Sequence, residues 1–346
     1  MAHFQWLSCV LIVLFSVLQT CYSMSQINHH FHHRNGVEFP TIYVDPSGKG
    51  HYKTIQAAID SVPSNNLNWT CIYIKQGTYR EKVHIPFDKP FIYLKGERKR
   101  KTLVIWGDHG SIATSATFIS QADNIVVKSI TFINSYNYPP TDSGNPMRPA
   151  VAAMIEGDKS VFYRCGFLGL QDTLWDVQGR HYFKRCTIQG AVDFIFGSGQ
   201  SLYERCTISV QAAALNGAPG YITAQGRSSP REKNGFVFKG CVINGNGETY
   251  LGRPWRGFAR VVFYNTTMSQ IVVPEGWDAW LSEGREYQLT YAEYDCHGLG
   301  ANTTGRVKWA NKMSKGMLGK FAAISFIDNE GWLEDGTFKM FLPSLK

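Results

Sequence analysis

Short apolar segments recur along this chain in one pattern. FYRCGFLG (162–169), FKRCTIQG (183–190), YERCTISV (203–210) and FKGCVING (238–245) align without gaps. Each has an aromatic residue three positions before a cysteine and Phe or Ile two positions after it. Three of the four, those at Cys165, Cys186 and Cys241, have glycine four positions after it. VKSITFIN (127–134) and FYNTTMSQ (263–270) fit the pattern without the cysteine. Successive cysteines are 21, 20 and 35 residues apart. Short alternating strands at such a period predict a solenoid, with the surplus residues of longer steps in loops. The repeat is too short for a helical unit and predicts an all-β, right-handed parallel β-helix. Coils are then about 4.8 Å apart, and equivalent positions stack into ladders. Upstream, Ile55, Ala58, Ile59 and Val62 make an apolar helical face over Tyr52–Val62, which Pro63 ends. That helix is placed to cap the open end of the solenoid.

The ends divide the chain. Residues 6–18 form an apolar run of signal-peptide length, short for a bilayer span and preceded by no Lys or Arg. We assign 1–23 to a signal cleaved near Ser23 or Met24, with an uncleaved anchor as the alternative. The His-rich stretch (24–40) reads as a flexible mature N-terminus and 41–346 as one β-helix domain. Cys9 and Cys21 fall in the signal, which leaves Cys71, Cys165, Cys186, Cys206, Cys241 and Cys296. An even number in a secreted chain permits disulfides without fixing their pairing. Sequons at Asn68, Asn265 and Asn302 are glycosylation candidates.

Composition narrows the partners. The 346 residues are 44% hydrophobic and 18% charged, which excludes a disordered chain. A formal charge of +8 suits an anionic partner: nucleic acid, an anionic membrane or an acidic polysaccharide. The densest basic run, Lys95–Lys101 (KGERKRK), reads as a solvated loop. Nothing around it resembles a nucleic-acid module, so neither nucleic acid nor a membrane is expected as a partner.

Candidate chemistry follows from counting. Asp172 is seven residues after Cys165, and Asp193 is seven after Cys186. The two therefore share one position on successive coils. Stacked carboxyls in partly apolar surroundings repel, so one stays ionised and the other is driven toward its acid form. That split supplies a nucleophile and a general acid. The same Asp could instead be turn residues, and two carboxyls about 5–5.5 Å apart would also suit a retaining glycosidase. Arg253, between Gly252 and Pro254, is placed to hold a carboxylate bidentately. Trp255, Trp277 and Trp280 offer flat faces for a sugar ring, against the plainer reading of core packing.

GTYREKV (77–83), LGLQDTLW (168–175), VDFIFG (192–197), TAQGR (223–227) and YLGRPW (250–255) occur in the order found in plant pectinesterases. The chain resembles that family from Ile42 to Leu342, in the form without an inhibitor-like pro-region. The resemblance implies a parallel β-helix and hydrolysis of galacturonate methyl esters of cell-wall pectin, with release of methanol. It implies Asp193 as nucleophile, Asp172 as proton donor and then base, and Gln171 as stabiliser of the oxyanion. Arg253 would hold the nucleophile and bind substrate, Trp255 would form a platform, and Phe194 and Trp277 would add substrate contacts. No metal or organic cofactor is implied. The expected protein is a secreted monomer of the cell wall, and a protein inhibitor is admitted as a partner. Cys206 and Cys241 match positions the family often bridges. One departure stands out: where the family has a glutamine as second oxyanion donor, PAVAAMI (149–155) has Pro149. Proline supplies neither an amide side chain nor an N–H. The runner-up is therefore a weak or inactive pectin-binding wall protein. A third reading is a pectin-backbone glycosidase or lyase.

Overall fold

The computed structural model describes residues 39–140, 144–321 and 323–334, with Phe338 and Phe341. The signal assignment and nearly all of the His-rich stretch lie outside the described residues. Every strand pairing is parallel, and the strands form sheets of ten, eight and seven. One coil shows the plan. Ser160–Tyr163 lies in the ten-stranded sheet, Gly166–Leu168 in the eight-stranded sheet and Leu174–Asp176 in the seven-stranded sheet. The chain then re-enters the first sheet at Arg180–Lys184, one coil on. This is the parallel β-helix that the repeat predicts.

The repeat residues form internal ladders. The aromatics before each cysteine stack face to face: Phe162 on Phe183 at 4.9 Å, Phe183 on Tyr203 at 4.6 Å, Tyr203 on Phe238 at 4.6 Å and Phe238 on Phe263 at 4.5 Å. Such offset pairs add about 0.5–1.5 kcal/mol each beyond their burial. The cysteines line the corner beside them. Each thiol donates to the carbonyl of the preceding coil's residue at the aromatic position: Cys186 to Phe162 at 3.3 Å, Cys206 to Phe183 at 3.4 Å and Cys241 to Tyr203 at 3.2 Å. All six described cysteines are free. The expected Cys206–Cys241 bridge is thus replaced by thiol-to-carbonyl bonds that run along the stack.

The helix is shorter than the apolar face suggested, Ile55–Asp60. Thr54 caps it by accepting from the Ala57 amide, and the Glu81 carboxylate takes the Ile55 and Gln56 amides at 2.8 and 3.0 Å. At the other end Lys89 Nζ donates to the carbonyls of Ile59, Asp60 and Val62. Both ends of the cap are therefore tied to neighbouring coils. At the far end of the chain, Met313, Leu318, Phe326, Trp332 and Leu333 cover the outer face of the ten-stranded sheet, over Val161, Tyr182, Leu202, Val237 and Val262. That explains why strands such as Ser160–Tyr163 are buried on both faces. The three sequon asparagines are exposed.

The thiol ladder predicts that alkylation of the unfolded, unreduced mature protein labels all six of these cysteines. In the folded protein the buried Cys71, Cys165, Cys186, Cys206 and Cys241 should resist a thiol reagent. A pair that labels only after reduction would mean a bridge has replaced the ladder bonds.

Candidate active site

Asp172 and Asp193 sit at the corners where the chain turns from the eight-stranded into the seven-stranded sheet. Both have left-handed backbone, with φ of 59° and 48°. Asp tolerates that conformation better than branched or bulky residues. Gln171 bridges to Val192, and the Asp172 amide donates to Val192 O at 3.1 Å. Leu174 pairs with Ile195 just beyond, so the aspartates occupy one coil position, as the count from the cysteines requires.

Arg253 arrives from two coils further on, where register runs from Phe196 through Ala224 to Arg253. Its Nε donates to Asp193 Oδ1 at 2.8 Å and its Nη2 to Oδ2 at 2.7 Å, a bidentate pair. The pair is largely sheltered, with 17% of the Arg253 and 14% of the Asp193 side chain exposed. The guanidinium is clamped between two rings, 4.0 Å from the Tyr221 centroid and 4.2 Å from that of Trp280. Tyr221 stacks in turn on Tyr250 at 5.3 Å.

Burial raises the Asp172 carboxyl to about 7, with the charge of Asp193 adding to it and Arg253 opposing. Burial also raises Asp193, but the two Arg253 bonds oppose the rise and require the ionised carboxylate. The two carboxyls are thus unlike: two arginine bonds hold Asp193, and none reaches Asp172. Asp172 has no ion-pair partner among the described residues, which is why its charge goes uncompensated.

Beside the carboxyls lies an outward-facing apolar strip. Trp175 stacks on Phe196 at 5.6 Å, and Trp255 meets Phe196 edge-on at 5.9 Å. Ile112, Ile119 and Met154 complete it. Trp255 is half-buried, which leaves part of its ring to solvent. The other two expected contacts are misplaced. Phe194 is fully buried, and Trp277 is 1% exposed, packed on Tyr291 at 4.5 Å with its Nε1 bonded to Glu293. Both are core residues, because Phe194 turns inward at the corner that puts Asp193 outward. Trp280, three residues on, faces the site instead. Tyr221, Trp175 and Phe196 are site residues that the sequence reading missed. The last two were legible there, since inward Leu174 and Ile195 force Trp175 and Phe196 outward. Nothing comparable marked Tyr221.

Pro149 is half-buried one coil before Gln171, and the next amide, of Ala150, donates to Gln171 O at 3.2 Å. The Pro149 carbonyl accepts from the Gly110 amide at 2.8 Å. Pro149 therefore offers no donor at this point of the coil, and Arg148 beside it is exposed.

A carboxylate paired with arginine, a second carboxyl one coil away and a flanking aromatic strip lie together on a parallel β-helix, the arrangement of a candidate hydrolase site. The pectinesterase family profile matches residues 41–330. A protein of Arabidopsis thaliana named "Probable pectinesterase 29" is 57% identical over 303 residues, 87% of this chain and 90% of that protein. Another, "Probable pectinesterase 55", is 56% identical over 297 residues, 85% of this chain and 90% of that protein. The structure of the pectin methylesterase from carrot superposes with a TM-score of 0.80 at 30% identity, covering 88% of this chain and 96% of that one. The chain belongs to the pectinesterase family.

The raised Asp172 carboxyl makes a stability prediction with a definite sign. Its folded value, about 7, lies above the unfolded value of about 3.9. The folded state then holds more protons than the unfolded state between those values, so stability falls as pH rises from about 4 to about 7. Asp172→Asn removes the penalty. Its melting temperature should exceed that of wild type by a few degrees at pH 8 and by little at pH 4. An equal difference at both pH values would place Asp172 at an ordinary carboxyl value.

Proposed function

We propose that the enzyme hydrolyses methyl esters of galacturonate in pectin, with Asp193 as nucleophile and Asp172 as acid and then base. The observation that carries this reading is the bidentate Arg253–Asp193 pair one coil from the Asp172 carboxyl, which burial raises to about 7. Asp193 attacks the ester carbonyl carbon, and its other oxygen stays on the guanidinium. Gln171, adjacent to Asp172, donates to the developing oxyanion. Asp172 gives its proton to the departing methoxide, and methanol leaves. The Asp172 carboxylate so formed takes a proton from water, whose oxygen attacks the acyl-enzyme. The cycle closes with Asp193 ionised and Asp172 protonated again. Trp255 and the Trp175–Phe196 strip would support the sugar rings. The +8 charge suits a polyuronate substrate, and the apolar N-terminal run supports secretion to the cell wall.

The binding-only reading draws its support from Pro149. Against it, the bidentate Arg253–Asp193 pair beside Asp172 supports a catalytic reading. Loss of one oxyanion donor lowers rate by about 10²–10³ without removing the reaction.

Methanol release from highly methylated pectin tests the assignment. Asp193→Ala should lower kcat by at least about 10⁴, on the scale of removing the nucleophile from other covalent hydrolases. Wild type no faster than Asp193→Ala would leave only binding, and shorter polymer at constant ester content would mark a backbone-cleaving enzyme. Pro149→Gln should raise kcat by about tenfold or more, toward the full value of one donor. An unchanged kcat would mean that another donor already serves the oxyanion.

A further inference from the structure

We propose that a second polyuronate-binding surface runs along the corner between the ten- and eight-stranded sheets, away from the catalytic cleft. Arg164, Arg185 and Arg205 occupy one position on three successive coils at that corner. The Arg164 amide donates to Lys184 O, that of Arg185 to Glu204 O and that of Arg205 to Lys239 O, each at 2.9 Å. All three side chains are exposed. No residue of the seven-stranded sheet, which carries the cleft, lies at this corner.

The backbone there is left-handed, with φ of 55°, 54° and 52° for the three arginines. That conformation disfavours a residue with a β-carbon. The next two coils fill the same position with Gly240 and Asn265, which suit it better. The backbone therefore gives no reason for arginine, and the side chains are what these three coils retain.

The basic run Lys95–Lys101 joins the same corner. Lys99 Nζ donates to Thr187 Oγ1 at 2.8 Å, and Thr131 Oγ1 donates to Lys99 O at 2.7 Å. Thr187 is two residues past Arg185, so the Lys99 ammonium reaches the strand that follows the arginine column, and Arg98 and Arg100, its chain neighbours, are exposed. The acid nearest the column, Glu204, accepts from Tyr182 Oη at 2.8 Å, lies 3.4 Å from Lys184 and stands 3.9 Å from Nε of Arg205, whose side chain is still 59% exposed. The surface thus presents a line of cations with a repeat of one coil, about 4.8 Å. De-esterified homogalacturonan carries one carboxylate per sugar, and a pyranose ring is about as long as a coil is thick. A chain laid along the solenoid axis would meet one arginine per sugar. Such a surface would hold the enzyme on the product of its own reaction while the cleft engages ester. The choice of polymer rests on the esterase reading; the surface does not.

The test is retention on immobilised polygalacturonate across a salt gradient, using the full mature chain. The triple variant Arg164→Asn, Arg185→Asn, Arg205→Asn keeps a residue suited to the left-handed backbone. It should bind about tenfold more weakly at low salt, the loss expected of three exposed ion pairs, and elute earlier. Its kcat/KM on a short methylated oligogalacturonide should equal that of wild type. A charge-matched control, Lys49→Asn, Lys53→Asn, Lys312→Asn, should retain nearly wild-type binding. Elution of the triple variant with wild type, or an equal loss in the control, would overturn the proposal. A parallel fall in kcat/KM would do so as well, by placing the retention in the cleft. Absence of methanol release by wild type would count against the esterase reading alone.

Discussion

Every coil of this solenoid must hydrogen-bond in register to the coil before it, and the site exists because of that constraint. A parallel ladder fixes neighbouring strands at about 4.8 Å and puts equivalent residues side by side. When Leu174 is paired with Ile195, the corner residues two positions earlier are stacked whether or not their charges agree. The aromatic ladder from Phe162 to Phe263 and the thiol bonds beside it hold that register from within. Two carboxyls are thereby forced together by backbone hydrogen bonds far more numerous than the repulsion can break.

Arg253 decides how the forced pair resolves. It approaches from the far side, two coils on, and reaches Asp193 alone. Clamping between Tyr221 and Trp280 fixes the guanidinium plane, so the cation is oriented before substrate arrives. Its two bonds oppose the effect of burial at Asp193, while burial and the Asp193 charge raise Asp172 to about 7. One arginine thus makes two identical residues in identical coil positions chemically unlike.

The parts of this arrangement that follow from period are legible in the amino-acid sequence. The repeat around Cys165, Cys186, Cys206 and Cys241 implies the coils, and counting from it pairs Asp172 with Asp193. Arg253 is legible as a rigidly presented cation, though not the two rings that hold it. What fails is direction at corners, where the alternation of a strand does not apply. Phe194 follows Asp193 yet turns into the core, and Trp277 packs on Tyr291 while Trp280 takes the site. Cys206 and Cys241 stand as free thiols, each bonded to a carbonyl of the preceding coil. Tyr221 carries no signal, because its role depends on a cation 32 residues later in the chain meeting it across one coil step.

Burial and the neighbouring Asp193 charge raise Asp172 to about 7, and the two Arg253 bonds oppose the same rise at Asp193. This is tested most directly by titrating the side-chain carboxyls of ¹³C-aspartate-labelled enzyme by NMR, with Asp172→Asn and Asp193→Asn to assign them. One of the pair should titrate near pH 7, absent in Asp172→Asn and shifted downward in Asp193→Asn. Two carboxyls that both titrate near the ordinary aspartate value of about 3.9 would contradict the split.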